Sequence, residues 1–131
     1  MSFSIPKVSY KSMLKEGTRN YQGLEEAVYR NIEACKRIAD ITRSSFGPNG
    51  MRKIVVNHLQ KLFVTKDAST ILKELEVEHP AAKIVVMAAQ MTEHEVGDGT
   101  NFVIQFIASL MSGAGELLNY GVAPCVIIDG Y

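Results

Sequence analysis

From Leu24 onward the apolar positions Leu24, Val28, Ile32, Cys35 and Ile38 recur at steps of four and three, while Glu25, Glu26, Arg30, Lys36 and Arg37 fall mostly off that stripe. This spacing predicts an amphipathic helix. It must end by "FGPNG", because Pro48 disfavours the helical region for Gly47 and the two glycines make a tight turn. "KIVVN" and "KLFVT" follow, two β-branched and aromatic runs separated by "HLQ", which predict a small hairpin. In "TKDASTILKELEVEHP", Thr65 or Asp67 can cap a helix that turns Ile71, Leu72 and Leu75 inward, and Pro80 opens another. The segment Ala81 to Met91 is apolar almost all round and predicts a helix buried at the centre of the fold; its "IVV" would also suit a strand, but its length and proline start favour helix. Phe102, Val103, Phe106, Ile107, Leu110, Ala114, Leu117 and Leu118 keep helical spacing over nearly five turns. Gly121 and Pro124 break that pattern, and "CVIIDGY" begins a further apolar element. Its position at the last residue suggests a piece of something longer. Residues 1–20, with Pro6 and Gly17, predict an extended arm without regular helix.

The bulk numbers narrow the class. A chain of 131 residues with 47% hydrophobic and 21% charged residues is long enough for one domain with a real core and is not disordered by composition. Fourteen basic and fourteen acidic residues balance, so no long-range field argues for nucleic acid or an anionic membrane. Cys35 and Cys125 have neither CxxC nor metal spacing and are read as buried free thiols of a reducing compartment. The start lacks a signal sequence, and the uncharged run Gly99–Gly115, broken by Asn101, Gln105, Ser109, Ser112 and Gly113, is read as short of a membrane span. A soluble cytosolic protein is expected.

Three loops share an unusual composition: "FGPNG", "TKDAST" and "VGDGTN". The last two lie at predicted helix N-termini, where unpaired backbone N–H groups attract anions such as phosphate and glycines let a ligand approach. Thr65, Ser69, Thr70 and Thr100 add candidate hydroxyl donors. An aspartate beside a phosphate needs a cation between them, which makes Asp98 a candidate Mg²⁺ ligand. Asp67 can then orient the water that attacks a terminal phosphate. Each loop alone is better explained by helix caps and turn chemistry. Neither GxxxxGK[ST] nor GxGxxG is present. His58, His79 and His94 show no ligand spacing, "EHE" at Glu93–Glu95 reads as a solvated helix end, "KELEVEH" as an exposed face or subunit contact, and Ser44 and Ser45 lie in no nucleophile elbow.

In this order, "NIEACKRIADITRSSFGPNGMRKIVVN", "LFVTKDASTILKELEVEHPAAKIVV" and "EVGDGTNFVIQFIASL" resemble the start of a group II chaperonin subunit, the ATP-driven folding machine of the cytosol. The resemblance runs from about Met13 to Tyr131, and within the family "VNHLQKLFVT", "KDAST" and "GDGTNF" favour one subunit type. It implies a mainly α fold with a small β-hairpin: residues 21–131 as the N-terminal half of the equatorial ATPase domain, residues 1–20 as an arm packing on ring neighbours, and no intermediate or apical domain. It implies ATP or ADP with Mg²⁺, and a hetero-oligomeric double ring of paralogous subunits that assists folding of actin, tubulin and other proteins through domains not present in these residues. By the same resemblance Phe46, Gly47, Pro48 and Gly50 line the nucleotide, Asp98 coordinates Mg²⁺, and Gly99, Thr100, Asn101 and Phe102 follow the phosphates with backbone and side-chain donors. Asp67 matches the acid of the family's "NDGAT", which positions the attacking water. Ala68 replaces a glycine of that pattern, and Asn101 and Phe102 stand where many members carry Thr-Thr or Thr-Ser, so an amide replaces two hydroxyls. These residues alone are expected to be poorly soluble and without appreciable ATP hydrolysis. Two other readings are a non-enzymatic ring contact or scaffold and an unrelated Mg²⁺-dependent phosphotransferase.

Overall fold

The computed structural model describes residues 24–131, so the expected N-terminal arm lies outside the described residues. Five helices and one hairpin follow in order: α1 (Leu24–Arg43), β1 (Lys53–Val56), β2 (Leu62–Thr65), α2 (Ala68–Glu74), α3 (Pro80–Val96), α4 (Thr100–Asn119) and α5 (Pro124–Gly130). The mainly α architecture with a small hairpin agrees with the sequence reading. The strands pair antiparallel, Lys53 opposite Thr65 through Val56 opposite Leu62. Only Val55 of the hairpin is buried; Ile54, Val56, Leu62 and Val64 face outward.

Helix boundaries follow local chemistry. Asp67 caps α2 through its side chain, and Pro80 starts α3 where its missing N–H costs nothing. Gly97, left-handed at φ 79°, closes α3 with its N–H on the Glu93 carbonyl at 2.9 Å. Gly99, left-handed again at φ 80°, opens α4. Asp98 therefore sits in a two-glycine corner that turns one helix directly into the next.

The core joins Cys35, Ile38 and Ala39 of α1, Ala68 and Leu72 of α2, Ala82, Val85 and Ala89 of α3, and Ile104 of α4. Alanines on α1, α2 and α3 let the backbones approach closely, and Ile104 fills the space between them. The predicted stripe of α1 holds over Ile32, Cys35 and Ile38, which are buried, while Val28 is half-buried.

Two expectations about faces need correction, and a third face is settled by packing. Leu75 is the C-cap of α2 and is exposed rather than inward, because the helix ends before its side chain can return to the core side. α3 is not buried all round: its alanine face packs inward while Ile84, Met87 and Met91 are exposed, since a face of small residues fits against α1 and α4 more closely than one of long side chains. In α4 the inward side is centred on Ile104, and Phe102 and Phe106 point outward, stacked on each other at 5.9 Å between ring centroids.

Two further expectations change. Cys35 is buried, and burial raises its thiol pKa, but Cys125 is exposed at the start of α5. By length (20 residues) and mean hydropathy (1.3 over an 18-residue window) α4 meets the requirement for a membrane span. Its polar residues Asn101 and Gln105, however, are bonded into α1, as in a helix packed within a protein.

Candidate functional site

The three loops singled out in the sequence meet. A cleft of about 340 Å³ is walled by Ser45, Phe46 and Gly47 after α1, by Lys66, Asp67 and Ala68 between β2 and α2, and by Asp98 through Phe102 at the start of α4. Pro48 and Gly50 are not among its lining residues. Gly50 instead closes the turn, donating its N–H to the Gly47 carbonyl at 3.1 Å while Met51 bonds back to Ser44 at 2.9 Å.

Asp67 is the most constrained acid of the cleft. Its Oδ2 accepts from the Thr70 N–H at 2.8 Å and the Thr70 hydroxyl at 2.6 Å. Its Oδ1 accepts from the Thr100 hydroxyl at 3.4 Å, which ties α2 to α4. The Thr65 hydroxyl, the other cap considered, accepts the Asp67 N–H at 3.0 Å and so holds the capping residue from behind. Burial pushes the Asp67 carboxyl up, but hydrogen bonds from Thr70, from the Ser69 N–H and from Thr100 outweigh it and hold the pKa below the ordinary carboxylate value. A carboxylate stabilised in this way is a weak general base and a good orienting group.

Asp98 is different. It is exposed, and its Oδ1 accepts only the N–H of the adjacent Gly99 at 2.7 Å. The simple cap reading is thereby corrected: Gly99 is the N-cap of α4 and no side chain caps that helix. The N–H groups of Thr100, Asn101 and Phe102 precede the first intrahelical donor, Val103, which bonds the Gly99 carbonyl at 3.1 Å. Those donors and the positive end of a 20-residue helix face the cleft. Among the described residues no group of three or more His, Cys, Asp or Glu side chains is placed to hold a metal. Asp98 could hold an ion here only together with an anion and waters, a coordination that Mg²⁺ accepts.

The side chain of Asn101 does not reach for a ligand. Its Nδ2 donates to the Thr42 carbonyl at 3.0 Å, so the amide expected to replace a hydroxyl donor is engaged with the end of α1, and its backbone N–H is what remains for an anion. Two lining residues were missed in the sequence. The Ser45 hydroxyl is buried without a hydrogen-bond partner; no sequence pattern distinguishes it from Ser44. Lys66 is the one cation among the lining residues, and its signal was its place beside Asp67 in a suspected phosphate loop.

With this geometry in view, the comparisons are specific. The sequence profile of the TCP-1/cpn60 chaperonin family matches residues 38–131. The chain belongs to that chaperonin family. T-complex protein 1 subunit theta of Homo sapiens is 58% identical over 132 residues, covering all of this chain and 24% of the relative. The theta subunits of Gallus gallus and Arabidopsis thaliana are 58% and 53% identical over the same share. The chaperonin type favoured by "VNHLQKLFVT", "KDAST" and "GDGTNF" is thus theta. The chain spans about a quarter of the length of these chaperonin relatives.

Proposed function

We propose that the cleft is the phosphate-binding part of the nucleotide site of a cytosolic chaperonin subunit that hydrolyses ATP to assist protein folding. The observation that carries this reading is the convergence of three loops, the first and last about fifty residues apart in sequence, on one cleft that combines an uncapped helix N-terminus with a free carboxylate oxygen. Residues 21–131 act as the N-terminal half of the equatorial domain, within a hetero-oligomeric ring of paralogous subunits. Asp98 holds Mg²⁺, which neutralises phosphate charge when bound. Gly99, Thr100, Asn101 and Phe102 present backbone donors, and Phe46 and Gly47 close the opposite wall. Asp67 orients water toward the terminal phosphate, and Ala68 restricts the backbone beside it.

Nucleotide titration with and without Mg²⁺ tests the assignment. Asp98→Ala is expected to abolish the Mg²⁺ dependence of ATP binding; an unchanged dependence removes Asp98 as the metal ligand. In a subunit extended to the length of its relatives, Asp67→Ala is expected to spare binding and slow hydrolysis by about a hundredfold or more, and a normal rate removes Asp67 from the mechanism. The exposed Ile84, Met87 and Met91 of α3 favour a second, scaffolding reading, in which the chain serves as a packing surface and binds no nucleotide; the same titration separates the two.

A further inference from the structure

α1 ends at Arg43, leaving its last carbonyls without intrahelical partners. The Thr42 carbonyl is met from two sides, by the Ser45 N–H at 3.0 Å and by Asn101 Nδ2 at 3.0 Å. One turn further along α4, Gln105 Nε2 donates to the Ala39 carbonyl at 2.7 Å and to the Thr42 hydroxyl at 3.2 Å. It also lies 3.5 Å from Asn101 Oδ1. Thr42 is fully buried, while Asn101 and Gln105 are half-buried, so these bonds are partly shielded from water. The loop carrying Ser45, Phe46 and Gly47 leaves α1 at this point, and the donors of α4 begin on the same helix as the two amides.

We infer that Gln105 is a positioning residue of the nucleotide cleft, acting through Asn101 and Thr42 to fix the spacing between the α1 loop and the start of α4. Gln105 does not line the cleft, and no ligand needs to touch it. It holds Asn101 turned toward α1, which keeps that side chain out of the cleft and its backbone N–H directed into it. The inference rests on the reading of the cleft as a nucleotide site. Because the two walls are held before a ligand arrives, losing the clamp weakens every ligand that bridges them, whatever its phosphate count.

The test uses a subunit extended to the length of the chain's relatives, with ATP and with ADP in Mg²⁺, read by calorimetry or by a fluorescent nucleotide. Gln105→Glu and Gln105→Met both remove the donor, one polar and one apolar, so a folding failure in one leaves the other informative. Each is expected to weaken ATP and ADP alike by about five- to tenfold, the range for loss of one or two hydrogen bonds. Gln105→Lys, which restores a donor at the end of a long stem, is expected to return both affinities to within about twofold of the parent. Rescue by Lys distinguishes positioning from general packing, which it does not restore. Binding by the parent that is unchanged in both donor-less variants overturns the role of Gln105 alone. A loss confined to ATP also overturns it, since a clamp acts on both nucleotides. No binding by the parent overturns the reading of the cleft, and the inference falls with it.

Discussion

Gly47 and Gly50 bracket Pro48 and Asn49 in one turn, yet they are required for opposite reasons. Gly47 is left-handed at φ 85° with open space around it, so a side chain there strains the backbone alone. Gly50 has ordinary φ, but a Cβ would lie 2.7 Å from the carbonyl carbon of Ser45 and closer still to its oxygen. Gly47→Ala is expected to cost about 1–2 kcal/mol, and Gly50→Ala about 1–3 kcal/mol with a shift of the Ser45 wall, both measured by urea unfolding. Asp67→Ala is expected to cost about 1 kcal/mol near neutral pH as a lost helix cap. The sign with pH follows from its lowered pKa: a carboxylate stabilised in the fold contributes fully above the unfolded value near pH 4. That contribution is lost as pH falls through the folded value. The stability gap between parent and Asp67→Ala should therefore narrow under acid. The candidate acids were legible in sequence because Asp between small residues at a helix start is a local signal. Which of the two is locked and which is free was not, since it depends on Thr70 and on Thr100, the latter 33 residues away.

Among the elements, existence and order were readable and faces were not. A stripe of apolar residues at 3.6 spacing locates a helix, but in α3 and α4 apolar residues occupy more than one side, so spacing leaves the rotation of the helix open. The neighbours decide it. Small residues on α1 and α3 admit Ile104, which is fully buried, whereas Phe106 is 53% exposed. Ile104→Ala is expected to cost about 2–5 kcal/mol, and Phe106→Ala only about 1 kcal/mol, chiefly its stacking on Phe102. Denaturant midpoints of the two variants check the order; equal costs would mean that α4 is rotated from the position described.

Across the whole molecule, the exposed apolar residues of α3 and of the hairpin form surface that a soluble monomer rarely leaves open. Ile84→Lys with Met87→Lys is expected to reduce light scattering of the chain while leaving its urea midpoint nearly unchanged; a large loss of stability would show that this face is packed. Local chemistry was enough to locate the helices, the hairpin and three loops of phosphate-type composition, because caps, turns and strand pairing are set by residues within a few positions of one another. That these loops share one cleft, that Asp98 keeps one oxygen open while Asp67 is locked, and that Asn101 turns away toward Thr42 came from long-range packing. Those outcomes depend on how α1, α2 and α4 pack around Ala39, Ala68 and Ile104, and no local pattern encodes a distance between residues 59 positions apart.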